Sequence, residues 1–193
     1  MAKRVGVLAL QGDFEAHQKA LQRAGAEAVQ VRTPDELRQV QGLVIPGGES
    51  TTMLRLLQAA NLMQPLKEFG ETNPIYGSCA GAILLATDGI NPSQESLKLM
   101  DIGVQRNGYG RQLDSRVVHI PMAGGEMEAV FIRDPIILRV GKDPKVLAQY
   151  DGNPVLVEQG RHLVSTFTTE LTTDCRVTQL LRDTILYLQR SVR

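Results

Sequence analysis

The chain of 193 residues has no tryptophan, four tyrosines and four phenylalanines, so aromatic side chains are scarce. It also lacks an excess of either charge, because 21 lysine and arginine residues balance 21 aspartate and glutamate residues. Proteins that bind nucleic acid usually have a basic excess, or aromatic side chains on which bases stack. The composition therefore argues against nucleic acid as a partner.

Long apolar runs are absent as well, since none approaches the roughly 18 residues that a membrane span requires. The short apolar run at residues 5–10 ends at Gln11-Gly12-Asp13 without a cleavage-site pattern, so it predicts a strand rather than a signal peptide. The only two cysteines, Cys79 and Cys175, are too few for a disulfide framework. We expect a cytoplasmic protein without a membrane segment.

The first half of the chain alternates apolar runs with helical periodicity. Continuous apolar runs are typical of strands that are buried on both faces of a parallel sheet. The predicted strands are residues 5–10, 27–31, 42–45 and 74–76, and a small-residue helix is predicted at 80–86. Repeated strand-helix units predict an α/β fold with a doubly wound, mostly parallel sheet flanked by helices.

The second half changes to short strands that are separated by Gly, Pro and Asp turns. The predicted strands are residues 117–120, 128–132, 146–150, 155–159 and 163–167, followed by a helix at 174–188. Residues 88–99 match neither pattern and have no predicted element. These strands predict antiparallel additions to the sheet, and the length fits one domain covering residues 1–193.

The strongest chemical signal is Gly77-Ser78-Cys79-Ala80-Gly81, placed between a predicted strand and a predicted helix. A nucleophile at a strained strand-to-helix turn needs small residues on both sides, because larger side chains would clash. The helix that follows presents its N-terminus to the sulfur, which favours a thiolate. A lone cysteine is structural in about two of three cases, but this glycine frame reverses those odds for Cys79. Cys175 lacks such a frame and is taken as a structural or incidental thiol.

A second signal is Pro46-Gly47-Gly48-Glu49-Ser50, at the end of another predicted strand. Paired glycines at this edge of a parallel sheet let backbone N–H groups approach a ligand. A phosphate cradle lacks support, because neither the spacing nor the lysine of a P-loop is present. The pair could instead form an oxyanion hole, with N–H groups of Gly48 and Ala80, or simply be a strand-to-helix turn.

A third signal is the segment 106–112, in which Arg106 and Arg111 flank a glycine-rich stretch. Arginine side chains at such positions suit the binding of a carboxylate. The alternative, a solvated surface loop, is about equally probable from this segment alone.

In this order the motifs resemble the class I glutamine amidotransferases, and especially the glutaminase subunits of pyridoxal 5′-phosphate synthases. The resemblance covers nearly the whole chain. The segments that carry it are GVLALQG at 6–12, PGGEST at 46–51, GSCAG at 77–81, RNGYGRQ at 106–112, FIR at 131–133 and ELT at 170–172.

The resemblance implies that Cys79 attacks the side-chain amide of L-glutamine, forms a γ-glutamyl thioester and releases ammonia. It implies six substrate-binding residues, namely Gly47, Gly48, Glu49, Arg106, Ile132 and Arg133. It also implies a synthase subunit that receives the ammonia within a large hetero-oligomeric ring. No cofactor and no metal are expected.

The chain departs from the family at residues 167–171. The family has Phe-His-Pro-Glu-Leu, in which the histidine is the general base and the glutamate orients it. Here Glu170 is present, but Thr168 stands at the histidine position. A threonine hydroxyl cannot accept a proton at neutral pH, and loss of a general base costs roughly 10²–10⁴-fold in rate. Of the three histidines, His17 belongs to the first helix, His119 cannot be placed, and His162 lies about 20 Å from residue 168 along an extended strand.

Three functional hypotheses follow. The first is a glutaminase subunit of pyridoxal 5′-phosphate synthase. The second is a catalytically impaired subunit of the same complex, which binds glutamine or docks on the synthase. The third is a cysteine hydrolase or stress protein with a similar elbow cysteine, and the segments 46–50 and 106–112 count against it.

Overall fold

The computed structural model describes residues 4–90, 92–106, 116–122, 124–132, 135–172, 174 and 176–190. Its strands, in chain order, are β1 (Arg4–Leu8), β2 (Glu27–Val31), β3 (Gly42–Ile45), β4 (Ile75–Ser78), β5 (Ala86–Ile90), β6 (Met100–Gln105), β7 (Arg116–Met122), β8 (Gly125–Phe131), β9 (Ile136–Val140), β10 (Lys145–Tyr150), β11 (Asn153–Gln159) and β12 (His162–Ser165). Its helices are α1 (Phe14–Arg23), α2 (Pro34–Leu37), α3 (Ser50–Ala59), α4 (Met63–Thr72), α5 (Ala80–Leu85) and α6 (Arg176–Arg190).

A seven-stranded sheet forms the centre, in the order β10-β11-β12-β4-β3-β1-β2. Strands β1 to β4 and β12 pair in parallel, whereas β10 and β11 pair antiparallel at one edge. The predicted fold class, a mostly parallel sheet with antiparallel additions from the second half, is confirmed.

Helices cover both faces of this sheet. Successive side chains of a strand point to opposite faces, so apolar side chains on both faces need to be covered. On β3, Leu43 and Ile45 point to the core that α3, α4 and α5 cover. Val44 between them points to the opposite core, where Leu21 of α1 and Leu181 of α6 pack. The doubly wound arrangement therefore buries β3 on both faces.

Two smaller sheets were only partly predicted. The ribbon β7–β8 is antiparallel and includes the predicted strands 117–120 and 128–132, except that β8 ends at Phe131. The sheet β5-β6-β9 was not predicted, since its strands contain Asp88, Gly89, Asp101 and Gly103, residue types that are depleted in strands. Strand β5 includes the beginning of the segment 88–99 that had no predicted element.

One predicted strand end is wrong in a way that matters for the site. The prediction extended the strand at 163–167 to Phe167, but β12 ends at Ser165. The chain leaves the sheet because Thr168 pairs with Val130 of β8, so that each backbone N–H donates to the other residue's carbonyl. Residues 166–170 therefore cross from the central sheet to the ribbon.

None of the helices that the described residues form has the length and apolarity needed to span a membrane.

Candidate active site

Cys79 lies at a sharp turn between β4 and α5. Its backbone has φ +53° and ψ −104°, a conformation that costs a non-glycine residue on the order of 1–3 kcal/mol. Its N–H donates to the carbonyl of Ser165 at 2.9 Å, which ties the turn to β12. This strained strand-to-helix turn is the geometry predicted from the glycine frame.

Sterics require glycine at both positions of that frame. A Cβ added at Gly77 would lie 2.5 Å from the carbonyl oxygen of Gly81. A Cβ at Gly81 would lie 2.3 Å from the carbonyl oxygen of Ile45. Strand β4, helix α5 and strand β3 therefore approach each other closely only because both residues lack a side chain.

The glycine pair of the second motif lies directly against Cys79. A Cβ at Gly47 would be 3.2 Å from the Cβ of Cys79. Gly48 has φ +154°, and a Cβ there would lie 2.4 Å from Oε1 of Gln11. The same Gln11 oxygen accepts the N–H of Glu49 at 3.1 Å. The backbone of this loop is therefore held between the elbow and the end of β1.

Glu49 caps helix α3. Its carboxylate accepts the N–H of Thr51 at 3.1 Å and both the N–H and the hydroxyl of Thr52 at 2.7 Å. The hydrogen bond from the Thr52 hydroxyl is the main reason why the pKa of Glu49 is lowered to about 2. Glu49 is therefore an anion at neutral pH, and its side chain is about half exposed to the cleft and solvent.

Arg106 brings the opposite charge to the same place. Its guanidinium donates to the hydroxyl of Thr51 at 2.6 Å and lies 3.8 Å from the carboxylate of Glu49. The side chain is only 11% exposed, so these contacts fix its direction. One wall of the site thus carries a cation and an anion side by side.

These residues surround a cleft with a volume of about 350 Å³, including the part that is open to solvent. Its lining residues are Gly48, Glu49, Ser50, Cys79, Ala80, Ile83, Arg106 and Pro135. Five predicted site residues meet here, namely Gly48, Glu49, Cys79, Ala80 and Arg106, while Gly47 packs behind Cys79.

Three lining residues were not predicted as site residues. Ser50 belongs to the second motif, but only the three residues before it, Gly47, Gly48 and Glu49, were predicted as site residues. Ile83 follows Ala80 by three positions on α5, so helical spacing could have indicated it. Pro135 has no recognisable signal in the sequence.

Other predicted residues lie elsewhere. Ile132 follows β8, is 40% exposed and is not among the residues that line the cleft. Arg133 and Cys175 are outside the described residues, as are residues 107–112 of the third motif.

Thr168 is buried at the position where the resemblance implies a histidine. Its hydroxyl donates to the carbonyl oxygen of Val130 at 2.9 Å, and its N–H donates to the same oxygen at 2.8 Å. The side chain is therefore held to the ribbon, and it does not line the described cleft.

Glu170 lies buried next to the first helix and is not among the residues that line the cleft. One carboxylate oxygen accepts the N–H of Thr169 at 2.9 Å and lies 3.3 Å from Nε2 of His17. The other oxygen has no hydrogen-bond partner in the described part of the chain. Burial raises the pKa of Glu170 to about 7 and lowers the pKa of His17 to about 3, because both charged forms lose solvation.

The two remaining histidines do not line the cleft either. Nδ1 of His162 accepts the N–H of Ile75, at the end of β4 that is opposite to Cys79. His119 lies on β7 opposite Glu128 and is exposed. All three histidines of the chain lie among the described residues, and none of them is among the residues that line this cleft.

The sequence profile of the SNO glutamine amidotransferase family matches residues 7–186. The chain belongs to this family. The match favours the first two hypotheses over a hydrolase or stress protein of another type.

Curated relatives cover this glutamine amidotransferase almost completely. It is 55% identical over 186 residues to "Pyridoxal 5'-phosphate synthase subunit PdxT" of Solibacter usitatus (strain Ellin6076), with 92% of this chain and 97% of the relative covered. It is 52% identical over 179 residues to the protein of the same name from Koribacter versatilis (strain Ellin345), with 92% and 93% covered.

Solved structures agree with the fold of this amidotransferase. One described as "Crystal structure of glutamine amidotransferase" has a TM-score of 0.88 and 40% identity, covering 94% of this chain and 98% of that one. "Structure of PurLQS from Thermotoga maritima" has a TM-score of 0.70 at 17% identity, covering 95% and 99%, and supports the fold alone.

Proposed function

We propose that this glutamine amidotransferase is the glutaminase subunit of a pyridoxal 5′-phosphate synthase, and that Cys79 is its nucleophile. The observation that carries the proposal is the strained elbow of Cys79 against Gly47 and Gly48, in a cleft that also contains Glu49 and Arg106. The names of its relatives support the same assembly, since they are named as subunits of that synthase.

The charges of the cleft suit a free amino acid. The Arg106 guanidinium takes the α-carboxylate of glutamine, and the Glu49 carboxylate takes its α-ammonium group. Ile83 and Pro135 provide apolar contact for the methylene groups. Ile132 and Arg133 are proposed to complete the substrate site from the end of β8, as the resemblance implies.

The reaction is two successive acyl transfers. The thiolate of Cys79 attacks the amide carbon of the glutamine side chain, and the N–H groups of Gly48 and Ala80 stabilise the resulting oxyanion. The C–N bond breaks, the leaving nitrogen takes a proton, and ammonia and a γ-glutamyl thioester form. Water then attacks the thioester, which gives L-glutamate and restores the thiol.

Deprotonation of Cys79 is the step at which this chain differs from its family. With Thr168 bonded to Val130, no histidine at 168 is available for Glu170 to orient. An unassisted cysteine thiol is only a few per cent thiolate at neutral pH. We therefore expect a glutaminase with a low rate.

The threonine at position 168 also supports a second candidate function. A subunit without its general base could bind glutamine, or dock on the synthase, without turning glutamine over. The comparisons with known proteins do not favour this impaired subunit over an active glutaminase.

The ammonia is proposed to pass to a synthase subunit in a large hetero-oligomeric ring, as the resemblance implies. We expect the complex to work in the cytoplasm, where reducing conditions keep Cys79 as a thiol.

The test is ammonia release from L-glutamine by the purified chain, with and without the synthase subunit of its own source. Cys79→Ala should abolish turnover, and Cys175→Ala, a matched thiol control, should leave turnover unchanged. Calorimetry with glutamine separates the two functions, since glutamine binding without turnover supports the impaired subunit. Turnover that survives Cys79→Ala would disprove the role of Cys79.

A further inference from the structure

The segment 92–99, which has no predicted element, connects two parts of the candidate site. At one end, Oε1 of Gln94 accepts the hydroxyl of Ser50 at 3.1 Å. The amide nitrogen of the same side chain donates to the carbonyl oxygen of Ser50 at 3.4 Å. Ser50 is 5% exposed, begins α3 and directly follows Glu49 in the loop that contains Gly48. Gln94 thus holds the helix end that carries this loop.

The other end of the segment is bonded to the end of α5, the helix that starts at the elbow. The N–H of Leu97 donates to the carbonyl of Leu84 at 2.7 Å, and the N–H of Leu99 donates to that of Leu85 at 3.0 Å. The hydroxyl of Ser96 donates to the carbonyl of Ala86 at 2.6 Å. The last carbonyls of a helix lack partners within the helix, so these bonds fix the position of α5.

Two elements of the reaction site are therefore joined through one short stretch of chain. Helix α3 follows the Gly48 N–H, and α5 begins with the Ala80 N–H, the two donors assigned above to the oxyanion. Because α5 has only six residues, a shift at its C-terminal end moves its N-terminal end as well. The side chain of Gln94 is the contact through which the segment reaches α3 at the cleft.

We propose that Gln94 is a positioning residue, which sets the spacing between the Gly48 and Ala80 donors by holding Ser50. The inference rests on the proposed function, because it concerns the oxyanion of that reaction. Donors of this kind act mainly on the transition state, so their displacement lowers kcat more than it raises KM. Loss of a whole oxyanion donor costs about 10²–10³-fold in kcat, and a displaced donor should cost less, about tenfold.

The chain supplies a matched control. Nε2 of Gln58 donates to the carboxylate of Glu95 at 3.0 Å, so this contact joins α3 to the same segment. Both side chains are exposed, and neither residue lines the described cleft. Gln58→Ala therefore removes a tie between the same two elements without touching Ser50.

The experiment compares Gln94→Ala, Gln94→Leu and Gln58→Ala in glutaminase assays with the synthase subunit present. Both Gln94 variants should lower kcat about tenfold with KM changed less than threefold, and Gln58→Ala should change neither. Hydrogen exchange should accelerate at the amides of residues 50–53 in the Gln94 variants alone. Gln94→Leu keeps the approximate volume, so an equal loss in both variants assigns the effect to the hydrogen bonds.

The outcomes separate this inference from the proposed function. An inactive parent chain would contradict the glutaminase proposal, whereas faster exchange at residues 50–53 would still support the contact that Gln94 makes. An active parent chain whose kcat is unchanged by both Gln94 variants would overturn the inference. An equal loss of kcat in Gln58→Ala would also overturn it, because the effect would then be one of general stability.

Discussion

Nε2 of His17 lies 3.3 Å from a carboxylate oxygen of Glu170, between α1 and the crossing segment 166–170, and both side chains are buried. The shifts of the two pKa values favour a neutral pair, and Nε2 of His17 makes no hydrogen bond within the described part of the chain. Asp13, the residue before α1, adds a like charge that also raises the pKa of Glu170. Glu170, which is expected to orient a catalytic histidine, thus lies against His17 of α1.

Glu170→Gln should alter how stability depends on pH. The pKa of Glu170 rises from an ordinary value of 4.5 to about 7 on folding, so the folded state holds the proton more tightly. Its contribution to the free energy of unfolding is greatest below pH 4.5 and is lost as the pH rises to about 7. This loss is about 3 kcal/mol. Urea unfolding from pH 4.5 to 8 should show the parent chain losing this stability relative to Glu170→Gln. Parallel curves would contradict the raised pKa.

His17→Gln should have the opposite pH signature. The pKa of His17 is lowered from 6.5 to about 3, so its stabilisation is full above pH 6.5 and is lost as the pH falls towards 3. Urea unfolding across that range should show the parent chain losing stability relative to His17→Gln. A parent chain that loses no stability relative to His17→Gln between pH 6.5 and 4 would indicate a charged imidazole in the fold.

Thr168→His should raise the glutaminase rate at least tenfold, because it returns a general base two residues from Glu170. The new side chain loses the hydrogen bond that the threonine hydroxyl donates to Val130, which costs about 1 kcal/mol of stability. Ammonia release should be measured for Thr168→His, Thr169→Pro and the double variant. Thr169→Pro alone provides no base and should give no gain. An unchanged rate in Thr168→His and the double variant would show that the segment is aligned wrongly with its family.

The elbow could be predicted from sequence because its constraint is local: Gly77 and Gly81 are required by backbone atoms within a few residues or on the next strand. The strands β1, β3 and β4 were found for a similar reason, since burial on both faces leaves a short run without charged residues after the first position. The pairs His17–Glu170 and Ser50–Gln94 span 153 and 44 positions, so no periodicity relates them. The hydrogen bond of Thr168 to Val130 is likewise a consequence of where the chain leaves β12, which the strand pattern did not reveal.

Gly81→Ala should abolish activity and destabilise the fold strongly. The added Cβ would lie 2.3 Å from the carbonyl oxygen of Ile45, so β3 and α5 would have to separate. We expect a loss of about 3 kcal/mol or more in unfolding free energy, at the upper end of single substitutions. Gly25→Ala is the comparison, since no atom lies within 4 Å of the added Cβ and the substitution carries only the backbone strain of φ +82°, about 1–2 kcal/mol. A cost for Gly81→Ala no larger than that of Gly25→Ala would contradict the close approach.

Lys98→Gly should stabilise the chain, although it removes a side chain. Lys98 is exposed and has φ +53°, a left-handed conformation that costs a residue with a Cβ about 1–2 kcal/mol. Glycine adopts it without strain but gives the unfolded chain more freedom, which costs about 0.4–1 kcal/mol. The expected net gain is about 0.5 kcal/mol, measured as a higher urea midpoint at unchanged m value. Lys98→Ala keeps the strain and should give no gain. A gain in Lys98→Ala equal to that of Lys98→Gly would assign the effect to the lost charge instead of the backbone.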